Sequence, residues 1–180
     1  MPGENSYQGL KQKELISQLK ERDKELSCIY KILHLADQEE KLSGILKKTA
    51  DILSESWQYP EITCVRIRLE GEEYKTSNYE ETSWTQRSDL IVNGEKLGYI
   101  KVSYIEKKPD EDEGPFLKEE RSLLDAVAES LGRIIERKLA EKEKLKESEE
   151  KYKTIVEGFI QGVVIAQSDP IRLSFANSAM

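Results

Sequence analysis

The stretch SDLIVNGEKLGYIKVSYI, residues 88–105, decides the fold. Two arms rich in apolar residues meet at Asn93-Gly94, where glycine supplies the positive φ that a tight hairpin turn requires. Along the second arm Ile100, Val102 and Tyr104 alternate with Tyr99, Lys101 and Ser103. That period of two assigns each set to its own face of a strand. The same period governs ITCVRIRLE, residues 62–70. There Thr63, Val65, Ile67 and Leu69 share one face, while Cys64, Arg66 and Arg68 share the other. Gly71 with Glu72 predicts a tight turn into a short strand around Tyr74 to Thr76. A polar connection, SNYEETSWTQ (77–86), leads from there to the hairpin.

Outside this stretch the period lengthens to that of a helix. Residues 1–9 carry Pro, Gly, Asn and Ser without periodicity and are expected to be disordered. From residue 10 to 34, Leu15, Leu19, Leu26, Ile29 and Leu33 recur at heptad-like spacing, interrupted at Arg22. The surround is charged, which is the pattern of a short coiled-coil seam. A second helix is predicted over 39–56, with Leu42, Ile45, Leu46, Thr49, Ile52 and Leu53 on one face. Pro60 disfavours helix at Tyr59 and ends it. After the hairpin, KKPDEDEGP (107–115) is an acidic loop whose acids suit the positive N-terminal end of a helix. That helix carries Phe116, Leu123, Leu124, Val127, Leu131, Ile134 and Ile135 on one face. Its seam thins beyond Leu139 and Leu145, and the helix is expected to run on to about Gly158. The class is therefore α+β: a small antiparallel sheet with helices packed on one face, flanked by long N- and C-terminal helices of coiled-coil type.

Composition excludes several classes. The chain has 180 residues, a net charge of -7, 35% charged residues and 37% hydrophobic residues. An acidic surface disfavours duplex nucleic acid, which is bound by basic surfaces that release counterions. No apolar run is long enough for membrane insertion. The first residues lack the apolar core of a signal peptide. Cys28 and Cys64 fall in no paired motif, as expected for reduced thiols in a cytoplasmic protein.

The order of elements resembles a GAF domain. The residues that carry the likeness are IVNGEKLGYIKV (91–102), similar to the family's central hairpin, and FLKEERSLLDAVAE (116–129), similar to its closing helix. SWQYPEITCVRI (56–67) resembles a variant found in multi-domain sensor histidine kinases. ESEEKYKTIVE (147–157) looks like the usual lead-in to a PAS domain, and VVIA (163–166) and IRLSFAN (171–177) resemble its first two strands. The resemblance implies a GAF-like domain over 26–140, a signalling helix over 136–157 and the truncated start of a PAS domain over 148–180, expected to be mobile or opportunistically packed with an exposed apolar hairpin. The function implied is non-catalytic: a sensory or regulatory module of a two-component protein, relaying a signal through its flanking helices to a downstream PAS or kinase module.

In the resembled fold one sheet face meets the helices and the other meets the ligand. That implies a ligand face of Arg66, Arg68, Tyr99, Lys101 and Ser103, with Tyr79 and Trp84 overhead from the connection. Such a surface suits a small anionic or flat aromatic ligand. Its cover is about ten polar residues, short of the enclosure that cyclic-nucleotide and bilin binders of the family build. The bland alternative is a solvated face whose cations pair with surface glutamates. The flanking helices are expected to pair in a homodimer through Leu19, Leu26, Leu33, Leu124, Leu131 and Ile134, and a second alternative is a ligand-free dimerisation and relay module. A third is a haem-based redox sensor. Against it, Cys28 and His34 lie six apart on one helix and point in different directions, so no cofactor is expected. His34 also lacks the acidic and Arg-Thr-Pro context of a phosphoacceptor, so no kinase activity is expected. Two distant cysteines likewise do not suit a methionine-sulfoxide reductase.

Overall fold

The computed structural model of the chain describes residues 4–39, 41–157, 164–167 and 172–176, with side chains described for 15, 16, 19, 22–39 and 41–157. The chain divides into two units, Met1–Glu136 and Arg137–Met180.

In the first unit helix α1, Glu4–Gln38, precedes helix α2, Leu42–Ser56, and a single 3-10 turn, Pro60–Ile62. Strands β1, Thr63–Leu69, β2, Glu72–Lys75, β3, Thr85–Val92, and β4, Glu95–Tyr104, follow. Helix α3, Lys118–Glu157, contributes its first turns to this unit. The four strands form one antiparallel sheet in the order β2-β1-β4-β3. The α+β class thus holds.

Both hairpins turn on a left-handed pair. Asn93 and Gly94 have φ of 51° and 80°, the turn that the sequence predicts. The β1–β2 turn falls on Glu70 and Gly71, φ 49° and 92°, one residue earlier than Gly71-Glu72. Two consecutive positive-φ residues match the right-handed twist of the paired strands.

The inward face carries Val65 and Ile67 from β1, Leu90 and Val92 from β3, and Ile100, Val102 and Tyr104 from β4. Ile45, Leu46, Ala50 and Leu53 of α2 and Leu123, Leu124, Val127, Leu131, Ile134 and Ile135 of α3 complete the same core. Burial of each large aliphatic side chain contributes about 1.5–3 kcal/mol. Helix α1 joins through Cys28, Ile32 and Ala36, spaced by four. Its leucines 19, 26 and 33 are exposed. The helix starts at Glu4, so residues 4–9 are helical where disorder is expected; residues 1–3 lie outside the described residues.

Leu124, Leu131 and Ile134 correct the pairing expectation. They are buried at 0%, 0% and 4% exposure inside the core, so no partner can reach them.

One buried carboxylate ties the start of α3 to its surroundings. Glu120 accepts from the Leu117 backbone N–H (2.8 Å), the Gln58 backbone N–H (2.8 Å) and the Tyr104 hydroxyl (3.0 Å). Asp112 accepts from the Lys118 N–H at 3.0 Å. Two amides that a helix start leaves without internal partners are satisfied this way. Burial, with the adjacent Glu120 charge, pushes the Tyr104 phenol pKa up.

Helix α3 also lies against the edge strand β3. Arg121 donates to the carbonyl of Arg87 at 2.8 Å and grips Glu113 with two nitrogens. A Cβ added at Gly132 would lie 2.3 Å from the Ile91 carbonyl oxygen. Glu136 accepts the backbone N–H of Asn93.

In the second unit residues 137–157 are helical, with Leu145, Tyr152 and Ile155 exposed. Glu141 pairs with Lys138 (3.7 Å) and Arg137 (3.9 Å). Strands β5, Val164–Gln167, and β6, Arg172–Ala176, pair antiparallel, at the positions where the PAS-like strands are expected. The expected mobility and exposed apolar surface of that hairpin lie outside the described residues.

Candidate functional site

Strand register builds the outward face of the four-stranded sheet. Arg66 stands opposite Lys75 on β2 and Lys101 on β4, and Lys101 stands opposite Arg87 on β3. Lys75, Arg66, Lys101 and Arg87 therefore form one cationic row across all four strands. The next row is Glu73, Arg68, Tyr99 and Asp89. A row of like charges at adjacent positions repels itself, and the neighbouring residues offset it. Glu73 pairs with Lys75 at 2.6 Å and Arg66 at 3.8 Å. Asp89 pairs with Lys96 at 2.6 Å and Arg87 at 3.5 Å. The Tyr99 ring lies under the Arg87 guanidinium, 4.0 Å from its centroid, and 5.6 Å from that of Arg66. The Lys96 bond to Asp89 and the Lys75 bond to Glu73 hold both carboxyls below their ordinary range.

The connection between β2 and β3 supplies the rest. Its backbone is pinned by the Asn78 side chain on the Thr63 carbonyl (3.0 Å), the Val65 N–H on the Thr76 hydroxyl (3.1 Å) and the Tyr79 N–H on the Thr76 carbonyl (3.2 Å). It sets Tyr79 over the Arg66 guanidinium, 5.2 Å to the ring centroid, with Lys75 at 5.3 Å. Glu81 then descends onto the row. One of its oxygens takes Lys101, and the other takes the Tyr79 hydroxyl at 2.7 Å and Arg66 at 3.4 Å. The Lys101 bond, then the Tyr79 bond, with the nearby Arg66 charge, draw the Glu81 pKa down to about 2. Tyr79 moves the opposite way, raised by burial and by its bond to Glu81.

The two central cations are nearly enclosed. The Arg66 and Lys101 side chains are 17% and 14% exposed, whereas Glu81 is 60% exposed. Arg66 keeps a buried Nε–H with no partner. Beneath the same connection Cys64 is fully buried and donates to the Glu80 carbonyl at 3.6 Å, and burial raises its thiol pKa. Its cross-strand neighbour Ser103 is fully buried, with its hydroxyl unpartnered.

Four of the expected ligand-face residues converge: Arg66, Lys101, Tyr99 and Tyr79. Arg68 shares the face, exposed, beside Glu73 and Tyr99. Ser103 is on the face but sealed under the connection. Trp84 does not belong; its side chain packs against the hydrophobic core on the inward side. The reason is parity, since β3 begins at Thr85, so Trp84 falls in step with Gln86 and Leu90. Sequence reasoning missed Lys75, Arg87 and Glu81. Alternation along TQRSDLIV carries the signal for Arg87; nothing in the spacing of the connection marks Glu81.

Cys28, His34 and Cys64 do not converge. Cys28 is in the core, His34 is exposed and stacks near Tyr30 with Gln38 beside it, and Cys64 lies beneath the connection. Among the described residues no cluster of His, Cys, Asp or Glu could hold a metal ion, and no helix is long and apolar enough to cross a membrane. No protein-family model, no curated protein and no solved structure matches the chain.

Proposed function

We propose that the first unit is a GAF-like regulatory domain of a signal-transduction protein, binding a small anionic ligand on the outward sheet face. The flanking helices relay its occupancy to a following module of PAS or kinase type. One observation carries this reading: Lys75, Arg66, Lys101 and Arg87 in register across the sheet, the central two almost enclosed and Arg66 flanked by the rings of Tyr79 and Tyr99. Enclosed cations interact with an anion more strongly than surface ones, because less water screens them. Guanidinium and tyrosine rings together also suit a flat, charged molecule. Native mass spectrometry of the freshly purified chain tests it. A bound anion is expected, with its added mass lost in Arg66→Ala and Lys101→Ala. The reading fails if no adduct is seen and an anion library gives no rise in melting temperature.

Exposed apolar residues on α1 favour a second reading, a homodimer that relays without ligand. Leu19, Leu26 and Leu33 recur every seven residues and stand in solvent. Leu26→Asp should then give a monomer in analytical ultracentrifugation; an unchanged assembly state would remove this reading.

A further inference from the structure

We propose that Glu81 is a built-in stand-in for the ligand: its carboxylate latches the 76–84 connection over the cationic row, and a free carboxylate ligand binds by displacing it. This rests on the ligand-face reading above and adds the ligand's chemistry and its control. The geometry is that of a bound carboxylate. One oxygen takes an ammonium, Lys101, and the other takes a phenol, Tyr79, and faces a guanidinium, Arg66. Arg66 and Lys101 are held from below by their strands, Arg66 also by the ring of Tyr99, and the Tyr79 ring lies over the Arg66 guanidinium. Glu81 itself is held only from the connection and is mostly exposed, so it can leave while its partners stay. The site then keeps its donors, together with the spare Nε–H of Arg66. An external carboxylate reproduces each bond that Glu81 gives up.

The low pKa of Glu81 fits a latch that stays charged, and so stays closed, throughout the neutral range. The latch also sets the affinity. A ligand that must displace a tethered competitor binds more weakly by the fraction of time the site is open. A carboxylate on a short tether competes at an effective concentration of about millimolar or more. Metabolite carboxylates would therefore be sensed at high concentrations rather than trace ones. Lifting Glu81 unties the connection from Lys101 and Arg66, so occupancy changes the order of the connection, a change that a relay could read.

Titration of succinate into the full chain by calorimetry tests this, with the Glu81→Gln variant beside it. That substitution keeps the shape and removes the charge, and at a mostly exposed position it leaves the fold intact. The expected result is succinate binding at least about tenfold tighter in Glu81→Gln than in wild type, and none in the Glu81→Gln, Arg66→Gln double variant. Succinamide, without carboxylates, should bind neither form. On wild type alone, saturating succinate should speed amide exchange at Tyr79. Equal succinate affinity with and without Glu81 would overturn the latch and leave the ligand face standing. No succinate binding to either form, with other anions still bound by wild type, would overturn the carboxylate assignment. No anion binding to either form would overturn both.

Discussion

Along β1 and β4 the inward positions Val65, Ile67, Ile100 and Val102 are all fully buried, while the outward positions one residue away hold Arg66, Arg68, Tyr99 and Lys101. The two faces share strands, hydrogen bonds and register. Their stability has different sources. Inside, area removed from water dominates, and each side chain adds to it without regard to charge or pH. Outside, cations lie side by side and are tolerated because carboxylates and rings are interleaved with them. The inward face tells what holds the fold, and the outward face tells what the fold holds ready.

The largest expected effect lies inside. Ile67→Ala should cost about 3 kcal/mol in urea unfolding, the usual loss for a fully buried aliphatic side chain with its cavity. A cost under about 1 kcal/mol would mean that the inward face is loosely packed and the contrast overstated. Next comes a charge on the inward side. Glu120→Gln keeps the shape but turns one of the two acceptor oxygens into an NH2 donor that faces another donor, and should cost about 2 kcal/mol in the same measurement. If Glu120→Gln is neutral, α3 does not depend on that carboxylate for its docking.

The outward face should answer to acid instead. The folded pKa of Glu81 lies at about 2, below its ordinary 4.5. Its contribution is therefore complete above about pH 4.5 and is lost as pH falls towards 2. The wild-type melting temperature should drop more steeply over that window than that of Glu81→Gln, with the two curves converging at the acid end. Parallel curves would show that the latch bond exists without stabilising anything. The smallest effect belongs to α1: Leu26→Lys should change unfolding free energy by no more than about 0.5 kcal/mol, since the position is exposed. A larger loss at low protein concentration would reveal intramolecular packing along that stripe.

How far the sequence could be read follows the same division. The hairpin at 88–105 announces its turn and both faces, because a period of two and an Asn-Gly pair are local signals. The helical faces of α2 and α3 are equally legible, down to Leu124 and Ile135. On α1 the loudest signal is not the one the core uses. The recurring leucines draw the eye to 19, 26 and 33, yet the core takes the quieter set Cys28, Ile32 and Ala36, two of them small side chains that let the helix approach. The outward face is legible as a list and not as a row, because register between strands separated by a connection is a tertiary fact. Trp84 needed the true start of β3, one parity step from an error. Glu81 needed the path of the connection, which no periodicity encodes.

Helix α3 has one more consequence. Strand β3 is eight residues long and ends the sheet, so its outer backbone could recruit any passing strand. Arg121 holds its Arg87 carbonyl, Gly132 lies against Ile91 and Glu136 takes the Asn93 amide, three points along one border. The opposite border, β2, is four residues with Glu72, Glu73 and Lys75 among them. A sheet guarded at both borders offers little open backbone for strand-to-strand association. The failure to watch for is a fraying of α3 near Arg121, which would open the longer border and turn a loss of helix into aggregation.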